Sequence, residues 1–372
     1  MDTTVLKNGL VYTPDRRFAP LEVSFSEGVI TAVGTGLSGR VIDCDGCFVL
    51  PGLTDIHLHG CAGHDVSFSG PEALDAVAAY EFSRGVTAFC PTTMTLPEEK
   101  LLSALDSIRR YAAEKHPVRA EIVGIHLEGP FVSPEKCGAQ DPAYIQKPSA
   151  AKLREWQKAA GGLIRLVTLA PECEGAADCI RECAGEFRFS LGHTTADYAA
   201  ASEALAAGAD HVTHLFNAMP GFHHRETGVI GAAFDAPGCF AELICDGVHI
   251  SPTAVRAAFR LFGEWRTVLI SDSMEAAGMP DGEYQLGGQK VVKRGPEACL
   301  ADGTLAGSVT DLYGCFVTAV RMGIPPEIAA AAVTDNPCRS VGIQGKYGSI
   351  APGKTAHFLI LDKDTLEIRQ VI

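Results

Sequence analysis

Five histidines, one glutamate and one aspartate stand at the ends of predicted strands. The stretch Glu121-Ile-Val-Gly-Ile-His-Leu-Glu-Gly-Pro-Phe131 shows the pattern most plainly. Ile122, Val123, Ile125 and Leu127 form an apolar run that reads as a buried strand. Glu128 follows, and Gly129-Pro130 stops the strand, so the carboxylate stands at its C-terminal tip. Alone, such a Glu would read as a solvated strand-end acid. Other predicted strands end in the same way: Asp55-Ile-His-Leu-His59, Leu191-Gly-His193, Thr213-His214, Asp246-Gly-Val-His249 and Ser271-Asp272. The two-residue strand period puts His57 and His59 on one face. Imidazole and carboxylate together suit zinc, iron or a similar divalent ion. An ion with an open position generates hydroxide from water near neutral pH. A neighbouring Asp can act as general base.

The elements that would bring these ends together alternate strand and helix. Eight strands are expected at Leu50–Ile56, Val86–Thr92, Ile122–Leu127, Ile164–Leu169, Arg188–Gly192, His211–His214, Ala241–Cys245 and Thr267–Ser271. Helical stretches lie between them at Pro71–Arg84, Glu98–Lys115, Ala150–Ala160, Ala196–Ala207 and Pro252–Phe262. This predicts an α/β fold, a (β/α)8 TIM-type barrel over residues 51–346, with ligands gathered at the C-terminal strand ends. Glu283–Val292 reads as a hairpin within an insertion near 280–305, a flap beside the mouth. Residues 1–50 look all-β, with hairpin signals at Asn8-Gly9 and Glu27-Gly28. They are expected to pair with residues 347–372 in a small β-sandwich domain built from both chain ends. His126, one layer below Glu128, and His211 are expected to be structural. His64, His116 and His357 are expected on the surface or in loops. His223 and His224 sit in a loop near the mouth.

Composition narrows the function. The 372 residues are 47% hydrophobic and 20% charged, as in a soluble globular protein. Lys and Arg number 31 against 45 Asp and Glu, a net charge of −14, which argues against nucleic-acid and anionic-membrane binding. An anionic substrate would need a local basic group. The start Met1-Asp-Thr-Thr-Val has no signal-peptide pattern, and no apolar run nears the ~20 residues that span a bilayer. Thirteen cysteines then read as reduced thiols in a cytoplasmic protein, with the lone Cys44-Asp-Gly-Cys47 incidental.

Pro51-Gly-Leu-Thr-Asp-Ile-His-Leu-His59 resembles the opening strand of the amidohydrolase superfamily. His126-Leu-Glu-Gly-Pro130, Gly192-His193, Thr213-His-Leu-Phe-Asn-Ala-Met219, Asp246-Gly-Val-His249 and Ser271-Asp272 resemble, more narrowly, the N-acetylglucosamine-6-phosphate deacetylases. The resemblance spans nearly the whole chain. It implies hydrolysis of the acetamide of N-acetylglucosamine 6-phosphate to acetate and glucosamine 6-phosphate. It implies Glu128, His193 and His214 as metal ligands, and His57 and His59 as a pair that holds a second metal in some members. One or two divalent ions would be bound, zinc first, with iron, manganese or cobalt as alternatives. Asp272 would be the acid/base residue. Ala139, Asn217, Ala218, His249 and the loop Leu305-Ala306-Gly307 would contact substrate. Arg225 would bind phosphate, serving the neighbouring subunit of a homodimer.

Where the family usually has Gly-Ala-His or Gly-Thr-His, this chain has Gly138-Ala-Gln140. Gln140 can donate an N–H to the substrate carbonyl that the usual His polarises, but it cannot be cationic; either a second metal compensates or the preferred substrate is a different acetamido sugar. A dihydroorotase-type cyclic-amide hydrolase would need a carboxylated Lys ending the fourth strand, but Ile164-Arg-Leu-Val-Thr-Leu-Ala-Pro171 has none. A deacetylase for N-acetylgalactosamine 6-phosphate differs in one hydroxyl and stays open. A non-catalytic sugar-phosphate sensor would not need Asp272.

Overall fold

The expected alternation closes into a parallel barrel in the computed structural model, which describes residues 3–68 and 70–372. Its strands are Leu53–Leu58, Val86–Thr93, Ile125–Glu128, Ile164–Leu169, Arg188–Leu191, His211–Val212, Phe240–Ile244 and Thr267–Ile270. Each pairs in parallel with the next. The seam between the eighth and the first is bridged at the C-terminal end. There the Asp272 N–H donates to the His57 carbonyl at 2.9 Å and the His59 N–H to the Ser273 carbonyl at 2.8 Å. The strands are near-continuous apolar runs because both faces are covered. All six residues of the first strand are buried.

Helices cover the outside. Glu98–Ala112 turns Leu101, Leu105 and Ile108 inward, a stripe at helical spacing. Pro252–Arg266 starts at Ser251, whose side chain accepts from the Ala254 N–H, with Pro252 in its first turn. The expected helices are present. Ala176–Glu182 and Gly228–Asp235 are additional, and three helices, Leu312–Arg321, Pro326–Val333 and Asp335–Ser340, follow the inserted hairpin.

Both chain ends contribute to a pair of sheets beside the barrel. One holds Thr4–Lys7, Glu22–Ser26, Val29–Gly34 and Arg40–Asp43. The other holds Leu10–Tyr12, Phe18–Pro20, Cys47–Pro51, Phe358–Asp362 and Ile368–Val371. Phe358–Asp362 runs antiparallel to Cys47–Pro51. Leu6, Val11, Val23, Ile30, Val49, Phe358 and Ile360 form one apolar core between the sheets. The expected first barrel strand, Leu50–Ile56, is therefore two strands: Cys47–Pro51 belongs to this sheet and Leu53–Leu58 to the barrel.

One expected hairpin is absent. Glu27-Gly28 turns Glu22–Ser26 back onto Val29–Gly34, with φ of 51° and 75°. Asn8-Gly9 joins strands that lie in different sheets instead, so it carries the chain across the core. A Cβ on Gly9 would stand 2.8 Å from Cys44 Cβ, which explains the glycine at the crossing. The hairpin in the insertion is present, as Gly282–Leu286 against Gln289–Arg294. Gln289 Nε2 donates to the Ala139 carbonyl at 2.6 Å, which holds the hairpin against the loop after Glu128.

Candidate functional site

The C-terminal barrel rim brings the nominated metal ligands together. Glu128 Oε1 lies 3.1 Å from His193 Nε2, 3.0 Å from His214 Nε2 and 3.3 Å from His57 Nε2. Its other oxygen lies 3.2 Å from His59 Nε2. Asp272 Oδ1 stands 3.4 Å from His57 Nε2 and 3.3 Å from His59 Nε2. Two groups of donors result, His57–His59–Glu128 and Glu128–His193–His214, with Glu128 common to both. The six side chains are almost wholly enclosed.

The donor set fits a divalent cation. The Nε2 atoms of His193 and His214 face each other at 3.1 Å, and the buried His57 Nε2 has no hydrogen-bond partner. Burial pushes the His57 and His59 rings down, but the facing Glu128 and Asp272 carboxylates outweigh it. His57 is held well above the ordinary range and His59 is raised to about 9. The site therefore favours positive charge at the point where the Nε2 atoms converge. Backbone strain accompanies it. His193, His214 and Asp272 have φ of 47°, 30° and 49°, left-handed values that residues with a Cβ adopt uncommonly. Each turns sharply out of its strand and so aims its side chain at the centre. Gly192, just before His193, leaves room for Thr213, whose Cβ would lie 2.7 Å from an added methyl.

Gln140 lines the cavity and also braces Glu128. Its Nε2 donates to Glu128 Oε2 at 2.6 Å and its Oε1 accepts from the Thr95 N–H at 2.6 Å. The second amide hydrogen faces Met94 Sδ at 3.7 Å. A neutral amide can donate to a carboxylate and accept from a backbone N–H at once, and Gln140 does both beside the cavity that it lines. His126 is buried with Nε2 2.7 Å from Thr168 Oγ1, and burial pushes its ring down to about 3, so it is a neutral core residue.

Above the ligands opens a cavity of about 540 Å³. Ala139, Gln140, Asn217, Ala218, His249, Asp272, Leu305 and Gly307 line it together with the rim ligands His59, Glu128, His193 and His214. Asp246 Oδ2 holds His249 Nδ1 at 2.7 Å. Ala306 is fully buried behind the wall. Arg225 lies in an exposed loop and is not part of the lining.

A model of the amidohydrolase family matches residues 48–372. The chain belongs to the amidohydrolase family. This amidohydrolase is 41% identical over 329 residues to the N-acetylglucosamine-6-phosphate deacetylase of Bacillus subtilis (strain 168), across 85% of this chain and 81% of that protein. It is 35% identical over 371 residues to the N-acetylgalactosamine-6-phosphate deacetylase of Escherichia coli O157:H7, across 99% and 97%. Among solved structures, a point mutant of the Mycobacterium smegmatis N-acetyl-D-glucosamine-6-phosphate deacetylase, in complex with N-acetyl-D-glucosamine-6-phosphate, superimposes with a TM-score of 0.93. That match has 30% identity and covers 100% of this chain and 98% of the other.

Sequence reasoning passed over several residues of this amidohydrolase site. Lys136, at the end of the short 3-10 helix Pro134–Lys136, and the loop residues Gly303 and Thr304 also line the cavity. Glu242 lies beneath the ligands, fully buried in the strand Phe240-Ala-Glu-Leu-Ile244. A carboxylate in the middle of an apolar strand was a signal available in the sequence.

Proposed function

We propose that this amidohydrolase hydrolyses the acetamide of N-acetylglucosamine 6-phosphate, giving acetate and glucosamine 6-phosphate. The observation that carries the reading is the convergence of Glu128, two histidine pairs and Asp272 at the floor of one cavity. At about 540 Å³ the cavity is of a size that takes a small organic ligand. Glu128, His193 and His214 would hold one divalent ion, zinc first, and His57, His59 and Glu128 a second. Such an ion polarises the acetamide carbonyl and lowers the pKa of the attacking water. Burial pushes the Asp272 carboxyl up, but the His57 and His59 rings outweigh it and keep it below its ordinary value. Asp272 is therefore ionised and takes the proton as water adds to the carbonyl carbon. It returns that proton to the amine nitrogen as the C–N bond breaks. Asn217, Ala218, His249 and the Leu305–Gly307 loop would orient the sugar. Arg225, with its guanidinium fork, would bind phosphate across a homodimer interface. The thirteen unpaired cysteines support a cytoplasmic location.

The test is acetate release from N-acetylglucosamine 6-phosphate, its galactosamine epimer and the unphosphorylated sugar, with metal content measured on the same sample. Release from the glucosamine phosphate above the other two is the expected result. No release from any of them by a fully metallated protein would sink the reading. The galactosamine epimer is the second reading, favoured by the nearly end-to-end match to the Escherichia coli protein. Faster release from that epimer would establish it.

A further inference from the structure

The mechanism gives no task to Glu242, a buried carboxylate beneath the rim histidines. Glu242 sits in the seventh barrel strand with none of its surface exposed. An ion placed there loses several kcal/mol of hydration and must be compensated by its neighbours. Its Oε2 accepts from His57 Nδ1 at 3.0 Å and from the His214 backbone N–H at 3.3 Å. Its Oε1 faces His211 Nε2 at 3.3 Å.

We propose that Glu242 is the positioning residue for the His57–His59 ion site. By accepting from Nδ1–H it fixes the His57 tautomer and ring plane, so that the Nε2 lone pair faces Glu128. The inference rests on the reading of His57 and His59 as ligands of a second ion. A neutral imidazole has a single N–H, so the partner of one nitrogen decides what the other can do. With Glu242 Oε2 accepting at Nδ1, a ring that holds a cation keeps its proton on Nδ1 and turns the Nε2 lone pair to the centre. Two of the neighbouring histidines follow the same pattern, whereas the buried His214 Nδ1 has no hydrogen-bond partner. His59 Nδ1 faces the Thr92 carbonyl at 3.0 Å and His193 Nδ1 the Lys136 carbonyl at 2.9 Å. Each thus presents Nε2 to the centre. His57 differs in that its acceptor carries a charge, which makes the ring a stronger donor to a cation. The contact to the His214 N–H also props the left-handed turn that aims His214, so one side chain supports a ligand of each group.

The experiment is a zinc titration of the full-length metal-stripped protein, compared with Glu242→Leu and Glu242→Gln, reading stoichiometry and both dissociation constants. The unaltered chain should bind two equivalents. Glu242→Leu should weaken one of them by about 10–100-fold and leave the other within about threefold. Glu242→Gln, whose amide oxygen still accepts from His57, should recover most of that loss. Two equivalents with unchanged affinities in Glu242→Leu would overturn the role of Glu242 while leaving the two-ion reading intact. A single equivalent on the unaltered chain would overturn both. Should the leucine variant not fold, nitrogen-15 histidine spectra of the unaltered zinc-loaded protein decide. A proton on His57 Nδ1 supports the inference, and a proton on Nε2 overturns it.

Discussion

His57 and His214 are enclosed on strand ends, whereas Arg225 stands in solvent on a loop above them. The same contrast runs through the whole cavity. Its floor consists of short side chains fixed by strands and by a second layer of hydrogen bonds through Glu242, Thr92 and Gln140. Its rim includes loop residues such as Asn217, Gly303, Thr304 and the exposed Leu305, and the exposed Arg225 stands outside the lining. Floor geometry is over-determined, so a floor substitution changes whether chemistry occurs. Rim geometry is free to vary, so on the proposed function a rim substitution should change which sugar is held and how tightly.

Substitutions should sort along that line. Glu128→Ala removes the residue shared by both donor groups, so metal content should collapse and acetate release should fall to background, read by metal analysis beside the assay. Asp272→Asn should lower kcat by about 10²–10⁴-fold, with KM and metal content nearly unchanged. A loss of metal instead would reassign Asp272 from acid/base residue to ligand. On the rim, Arg225→Ala should raise KM for the phosphorylated sugar through a loss of about 1.5–3 kcal/mol, leaving kcat and the unphosphorylated sugar unaffected. Equal effects on both sugars would place Arg225 outside phosphate binding. Gln140→Ala sits at the boundary. It strips a partner from Glu128 and from the Thr95 N–H, so it should cost about 1–3 kcal/mol in kcat/KM, chiefly through kcat. An effect confined to KM would make Gln140 a rim residue after all.

The smallest effect on turnover is expected away from the cavity. Glu81 is fully buried, its carboxyl oxygens without a regular hydrogen-bond partner, and burial pushes it well above the ordinary carboxylate range. The folded state therefore keeps a proton that the unfolded chain has released. Stability from this group is complete below the ordinary value, near about 4.3, and drains away as pH rises toward its raised one. Glu81→Gln should leave turnover unchanged. Its stability advantage should widen with pH over that window, by up to about 1.4 kcal/mol per pH unit. Denaturant melts at several pH values would test the sign.

The legible parts were those written locally. A His, Glu or Asp closing an apolar run announces a strand tip, and the tips did converge. The turn at Glu27-Gly28 was equally local. Asn8-Gly9 was not, because whether two short strands pair or part depends on partners as distant as Cys47–Pro51 and Phe358–Asp362. Gln140 could not be placed because its contact with Glu128 exists only once the intervening loop folds back. The left-handed turns at His193, His214 and Asp272 leave no residue signature, since none is glycine. Ala176–Glu182 spans only seven residues, too few for a helical period to show, and Gly228–Asp235 is rich in alanine and glycine, so it shows little contrast between faces.

The pairing of Phe358–Asp362 with Cys47–Pro51 has a consequence for synthesis. Cys47–Pro51 leaves the ribosome about three hundred residues before its partner. Until that partner emerges, one of its edges presents unsatisfied backbone groups beside an apolar sheet face. The nascent barrel can assemble meanwhile, because its strands follow one another in order. The last strands then act as a latch, and the interval before they close is when the growing chain most needs shielding from its neighbours.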